Sequence, residues 1–146
     1  MTEKVPPLTE FKHKLKIKVR FSDLDAMRHV NNATYLTYLE EARIAYYKDI
    51  FDMPKKDLDF SAVVAKIEIS YLQPIVLGEQ VEILTKTTKF GRKSSDLVNL
   101  VVVERKGQKV IAAQALTKLV SYDYETLKSI ETPEDVINKI KEFEEI

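Results

Sequence analysis

The chain has 146 residues, with 23 basic and 23 acidic side chains and a formal charge of zero. That length suits one domain, able to bury about two thirds of its unfolded surface, and neutrality argues against a nucleic-acid stripe or a membrane-seeking polybasic face. Cysteine is absent, which excludes disulfides, thiolate metal sites and a catalytic thiol.

Residues 1–10 contain Pro6 and Pro7 and show no period. They are expected as a flexible leader, followed by a single domain over 11–146. The opening "MTEKVPPLTEF" lacks the apolar core of a signal peptide. No apolar run approaches the roughly 18 residues of a membrane span. The expectation is a cytoplasmic protein without membrane insertion. No nucleotide P-loop or secure redox-cofactor motif is present.

From Phe11 to Phe21, "FKHKLKIKVRF" alternates strictly. Phe11, His13, Leu15, Ile17, Val19 and Phe21 fall on one side and five basic residues on the other. This predicts a half-buried strand whose lysines guard an edge. His13 is expected as a packed side chain. A polar loop follows, with Asn31 or Asn32 as the cap of the next helix. Tyr35, Leu39, Ala42, Tyr46 and Ile50 then recur at helical spacing, flanked by Leu36, Arg43 and Tyr47. So wide an apolar arc belongs in the concave face of a sheet. Pro54 and "KKDLD" are expected to end this helix.

Four strands come next. "AVVAKIEISYL" places Ile67, Ile69 and Tyr71 on one face, and Gln73-Pro74 stops it. "EQVEILTKTTKF" puts Val81, Ile83, Thr85 and Thr87 on one face. "GRKSS" makes a turn. "DLVNLVVVE" and "KVIAAQALTKLVSY" are apolar on both sides and joined by a hairpin at Gly107. Such strands need cover on both faces, one side from the helix and the other from a partner subunit. Thr132-Pro133-Glu134-Asp135 reads as a capping box with Pro at the first helical position. Val136, Ile137, Ile140 and Phe143 then make a short amphipathic helix. Strands in sequence with short turns imply an antiparallel sheet, so the class is α+β.

The chemistry concentrates in "FSDLDAMRHVNNATYLTYLEEAR", Phe21 to Arg43. The loop ends at a helix start, whose first N–H groups lack internal partners and carry partial positive charge. They can polarise a carbonyl or hold an oxyanion. A carboxylate just upstream can face that spot as nucleophile or as base toward water. Local capping alone also accounts for Asp and Asn in such a loop, so the residues by themselves leave both readings open.

The run Asp23, Asp25, His29, Val30, Asn31, Asn32, Tyr35, Glu40 and Arg43 resembles the signature of hotdog-fold thioesterases of the 4-hydroxybenzoyl-CoA thioesterase-like and acyl-ACP thioesterase-like groups. The resemblance covers about Lys12 to Tyr122. It implies a hotdog fold: a five-stranded antiparallel sheet wrapped around the long central helix, here with a short C-terminal helix added. It implies an acyl thioester hydrolase, most simply an acyl-CoA thioesterase, with an acyl-carrier-protein thioesterase as the alternative. Asp25 matches the catalytic carboxylate. Asn32 supplies the polarising N–H. His29 has a catalytic or orienting part, and Asp23 is structural. Glu40 and Arg43 hold the helix or the dimer. Tyr35 and Met27 are expected at the acyl group, and Arg92, Lys93 and Ser94 at the phosphates of CoA or pantetheine. The five tyrosines Tyr35, Tyr38, Tyr46, Tyr47 and Tyr71 are expected to pack helix on sheet or to line the acyl channel.

Two positions depart from the pattern. Arg28 stands where many relatives have Gly, and Met27 where acyl-ACP thioesterases have Asn. The fold also implies a homodimer with one continuous sheet, or a tetramer, with sites at the subunit interface. No metal or other cofactor is expected beyond the CoA or phosphopantetheine of the substrate, and no nucleic acid. A hydratase of the same fold fits the His-Val-Asn-Asn run poorly. A non-catalytic acyl-CoA-binding protein is the remaining alternative.

Overall fold

The computed structural model describes residues 5–52 and 61–146. The expected helix stop at Pro54 and "KKDLD" lies outside them. The elements are β1 (His13–Lys18), α1 (Asn32–Phe51), β2 (Ala62–Tyr71), β3 (Gln80–Phe90), β4 (Ser94–Arg105), β5 (Gln108–Asp123), β6 (Lys128–Ser129) and α2 (Glu134–Glu144). The five long strands form one antiparallel sheet in the order β1-β3-β4-β5-β2, and the two-residue β6, which the sequence did not signal, pairs with β5. This is the curled hotdog sheet with its long helix and a short C-terminal one. No helix among the described residues is long and apolar enough to cross a membrane.

Side-chain alternation decides what the sheet encloses. Ile17, Val81, Ile83, Val101, Val103, Ala113 and Ala115 form one buried cluster with Tyr35, Tyr38, Leu39 and Ala42 of α1. The helical stripe read from the sequence therefore fills the concave face. Asn31 is its N-cap, accepting from the Ala33 N–H at 3.0 Å. The β4–β5 hairpin turns through Lys106 and Gly107, with φ of 52° and 75°. Two successive positive φ values are what a tight hairpin matched to strand twist requires.

The other face of β4 and β5 is covered from within the chain. Phe11, Leu84, Val98, Leu100 and Val102 form a second cluster, with Val5, Leu8, Ile111 and Leu116 against it. The leader is thus packed from residue 5 onward, with a 3-10 turn at Leu8–Glu10. Phe11 lies on this outer side and not with Ile17 and Val19, since it precedes β1 and is outside the ladder that fixes their side. Phe21 departs from the expected strand too. It opens a 3-10 turn at Phe21–Asp23 and is 80% exposed.

The far end of α1 is closed by α2. Val136 and Ile140 bury against Phe51. The expected capping box is not formed: Pro133 occupies the N-cap position without a side-chain bond, and the Thr132 hydroxyl pairs instead with that of Ser121 at 2.8 Å. Glu144 is 3% exposed. It accepts from the Tyr46 hydroxyl at 2.5 Å and the Thr87 N–H at 3.1 Å, with Lys86 Nζ at 3.4 Å. His13 packs beside this group, edge-on to Tyr46 and 2.7 Å from Asp49. Tyr46→Phe would leave a buried carboxylate short of a donor. We expect it to lower the unfolding free energy by about 1–3 kcal/mol in urea titration.

Candidate active site

The loop before α1 is built around Asp23, which is 2% exposed. Its carboxylate accepts from the Arg20 N–H and Nη2, each at 2.9 Å, and from the Tyr38 hydroxyl at 2.7 Å. Its main-chain carbonyl accepts from the Asn31 N–H at 2.8 Å and the Thr34 hydroxyl at 3.4 Å. Burial pushes this carboxyl up, but the bonds from Arg20 and Tyr38 outweigh it and hold it below the ordinary aspartate range. The Tyr38 hydroxyl is pushed up, first by burial and then by Asp23.

Asp25 begins a short hairpin. Its N–H donates to the His29 carbonyl at 2.8 Å, and the Arg28 N–H returns to its carbonyl at 3.0 Å. Three residues link the ends, and the last, Arg28, has φ of 65°. This is the turn-plus-bulge loop whose final position favours glycine. A glycine would adopt that φ without strain, whereas an arginine there carries about 1–2 kcal/mol of left-handed strain. The Asp25 side chain stabilises the same turn. Its Oδ1 accepts from the Met27 N–H at 2.9 Å and the His29 N–H at 3.3 Å, while Oδ2 accepts nothing among the described residues. The loop is docked through the Val30 N–H to the Ile75 carbonyl at 2.8 Å, and by a bridge between His29 and Val76.

Asp25, His29, Asn32 and Tyr35 line one cleft of about 330 Å³. Asn32 is the first residue of α1, and its N–H takes no acceptor among the described residues. Tyr35 is 3% exposed and forms the floor, with burial pushing its hydroxyl up. The opposite wall is Tyr71 to Pro74, with Val30 between. The sequence marked Gln73-Pro74 only as a strand stop. A single guanidinium braces this wall: Arg105 grips Glu79 at 2.7 and 2.9 Å, the Pro74 carbonyl at 2.5 Å and Gln73 Oε1 at 3.4 Å. Nothing in the sequence pointed to that fork.

Four of the expected residues do not line this cleft. Met27 is 74% exposed and lines neither core nor cleft. Arg92, Lys93 and Ser94 sit at the β3–β4 turn. β3 starts beside the end of β1, near the Asp25 loop, and its eleven residues carry the turn roughly 30 Å away. Arg92 pairs with Glu131 at 2.9 Å and Lys93 Nζ lies 3.5 Å from the Ser129 hydroxyl. Charge on a turn does not reveal which end of the sheet the turn occupies. Glu40 is exposed, and Arg43 is half-buried. A larger cleft of about 670 Å³ lies along β1, β3 and β4, lined by Lys16, Lys18, Glu82 and Glu104 among others. It brings together none of the acyl-transfer groups. No cluster of three or more potential metal-ligating side chains occurs among the described residues.

The sequence profile of the thioesterase-like superfamily matches residues 19–140. The chain belongs to that superfamily. It is 35% identical over 131 residues to the long-chain acyl-CoA thioesterase FadM of Escherichia coli (strain K12), covering 88% of this chain and 96% of that protein. A crystal structure of a thioesterase from Thermus thermophilus, complexed with coenzyme A and Zn, superposes with a TM-score of 0.80 at 34% identity, covering 95% of this chain and 99% of that one. A 4-hydroxybenzoyl CoA thioesterase variant bound to 4-hydroxybenzoyl CoA shares the fold, with a TM-score of 0.79 at 19% identity over 87% of this chain and 96% of its own.

Two outcomes are expected of the loop in this thioesterase-superfamily chain. Arg28→Gly should be at least as stable as the parent, whereas Arg28→Val should lose about 1–2 kcal/mol in thermal or urea unfolding. The depressed Asp23 carboxyl contributes stability that is fully present above its ordinary value of 3.8 and is lost as pH falls through the lower folded-state value. Asp23→Asn should lower stability at neutral pH and flatten that acid limb in a pH series of melts.

Proposed function

We propose that this protein is an acyl-CoA thioester hydrolase acting in the cleft between the Asp25 loop and the start of α1. The observation that carries the reading is the arrangement of Asp25. One carboxylate oxygen is fixed by two loop amides and the other accepts nothing among the described residues, beside an Asn32 N–H that is likewise unpartnered among them. A thioester carbonyl seated on that N–H would gain the favourable partial charge of the helix start as its oxygen becomes negative.

Asp25 then takes a proton from water as the water oxygen bonds to the carbonyl carbon. The tetrahedral centre collapses, the C–S bond breaks, and the leaving thiolate recovers the proton. The products are a carboxylic acid and free CoA. His29 borders the cleft and fixes Asp25 through its main-chain N–H, so its first role is orientation. CoA is favoured over a carrier protein because FadM is an acyl-CoA thioesterase and the Thermus structure holds coenzyme A.

The same reading includes a homodimer. The sheet has two edges, and they differ. β1 bears Lys14, Lys16 and Lys18, whereas β2 bears exposed Val64 and Tyr71. Pairing two β2 edges would extend one sheet through both subunits, and a dimer of dimers would give a tetramer. A partner could then bring its Arg92–Lys93–Ser94 turn toward the CoA phosphates, which one chain alone does not do.

The test is thiol release from acyl-CoA substrates by wild type and Asp25→Asn. The amide keeps an acceptor for the Met27 and His29 amides but provides no base. We expect kcat to fall about a hundredfold or more with the melting temperature little changed. Equal rates in the two proteins would remove Asp25 from the chemistry.

A further inference from the structure

Residues 72–79, between β2 and β3, lie outside any helix or strand, yet the Asp25 hairpin is docked on them. The Val30 N–H donates to the Ile75 carbonyl at 2.8 Å, and His29 forms a bridge with Val76. Ile75 is fully buried in the central cluster. Within the hairpin the Asp25 N–H donates to the His29 carbonyl at 2.8 Å, and the His29 N–H reaches Asp25 Oδ1 at 3.3 Å. His29 is thus shared: it holds Asp25 and also pairs with Val76. Where residues 75 and 76 stand therefore sets where Asp25 stands.

A segment without a ladder needs other bonds to keep one shape. Glu79 and Arg105 supply them. Glu79 Oε1 accepts from the Val76 N–H at 3.0 Å, and the Glu79 N–H returns to the Val76 carbonyl at 3.3 Å. Arg105, the last residue of β4, closes on that carboxylate through Nε at 2.7 Å and Nη2 at 2.9 Å. The same Nη2 donates to the Pro74 carbonyl at 2.5 Å, and Nη1 to Gln73 Oε1 at 3.4 Å. One planar group meets residues 73, 74 and 79, on both sides of Ile75 and Val76. An ammonium cannot present that fork. The Glu79 side chain is 15% exposed, so the pair is shielded better than an ordinary surface bridge.

On the thioesterase reading given above, we propose that Arg105, through Glu79, is a positioning residue for the Asp25 carboxylate. Its hydrogen bonds go to residues 73, 74 and 79 and not to Asp25. It acts by holding residues 75 and 76 where the hairpin docks, and so keeps Asp25 in the cleft it shares with Asn32. Such placement matters because a shift of about 1 Å at a reacting group costs on the order of a hundredfold in rate.

The experiment measures thiol release from acyl-CoA substrates by the full chain and by Arg105→Met, Arg105→Lys, Asp25→Asn and the Asp25→Asn/Arg105→Met double variant. Arg105→Met alone should lower kcat about tenfold or more. Arg105→Lys should lose nearly as much, because it keeps the charge without the fork. In the Asp25→Asn background, Arg105→Met should leave kcat within about twofold, because the group it positions is gone. An unchanged kcat in Arg105→Met overturns the proposal. So does an equal loss in both backgrounds, or a parental kcat in Arg105→Lys. If the parent turns over no thioester, hydrolysis itself fails, and amide hydrogen exchange decides Arg105 separately. Arg105→Met should then speed exchange of the Asp25 and Val30 amides about tenfold or more while the Val98 and Leu100 amides of β4 keep the parent's rate. Unchanged exchange at Asp25 and Val30, or an equal rise at all four amides, overturns it.

Discussion

The end of this molecule that holds the Asp25 cleft depends on one buried carboxylate. Asp23 receives the backbone and guanidinium of Arg20, which follows β1, and the hydroxyl of Tyr38 in α1. Its carbonyl receives the N-cap residue of the same helix. A buried charge is tolerated only when its oxygens are served, and here the donors come from two segments, the chain just after β1 and α1, that must meet. Satisfying Asp23 therefore fixes the angle at which strand hands over to helix. It also fixes the origin of the five-residue hairpin that starts two residues later at Asp25.

Around that point the rest of the site is assembled from the backbone. The hairpin is set by Asp25 itself, then docked on Ile75 and Val76. Residues 73–79 are drawn together by the Arg105–Glu79 fork. Rigid main-chain contacts thus hold both sides of the cleft. Among the described residues, the one side chain that spans it with a hydrogen bond is Tyr71, and it does so from a half-exposed position.

Much of this could be read in the sequence because the candidate groups are local. Asp25, His29, Asn32 and Tyr35 lie within eleven residues, so one loop and one helical turn bring them into a single cleft. The strands were equally plain where alternation met burial, as in Val81, Ile83, Thr85 and Thr87. What escaped was non-local or a matter of direction. The wall at Tyr71–Pro74 comes from the far end of another strand. The turn at Arg92–Ser94 lies at the end of the sheet away from the Asp25 loop of its own chain. Phe11 has the parity of β1 but lies before its first paired residue, where the strand's alternation no longer sets its side. The leader looked aperiodic because its two anchors, Val5 and Leu8, serve a surface patch and not a repeating face. Arg28 was seen as a departure from the family pattern, yet its positive φ was not visible until the hairpin was.

The buried network at the other end of α1 has a consequence for how this fold can change. Tyr46 lies fourteen residues beyond Asn32, about 21 Å along the helix. There Glu144, Thr87 and Lys86 close a polar knot beneath α2, with His13 and Phe143 packed around Tyr46. Sites this far apart and without shared partners contribute to stability almost independently. The helix is thus anchored at a locus remote from the Asp25 cleft. Natural drift or directed evolution can change exposed side chains that border the cleft, such as Tyr71 and Leu72, while the distal anchor keeps the scaffold intact. That modularity offers a physical route by which one architecture serves many thioesters.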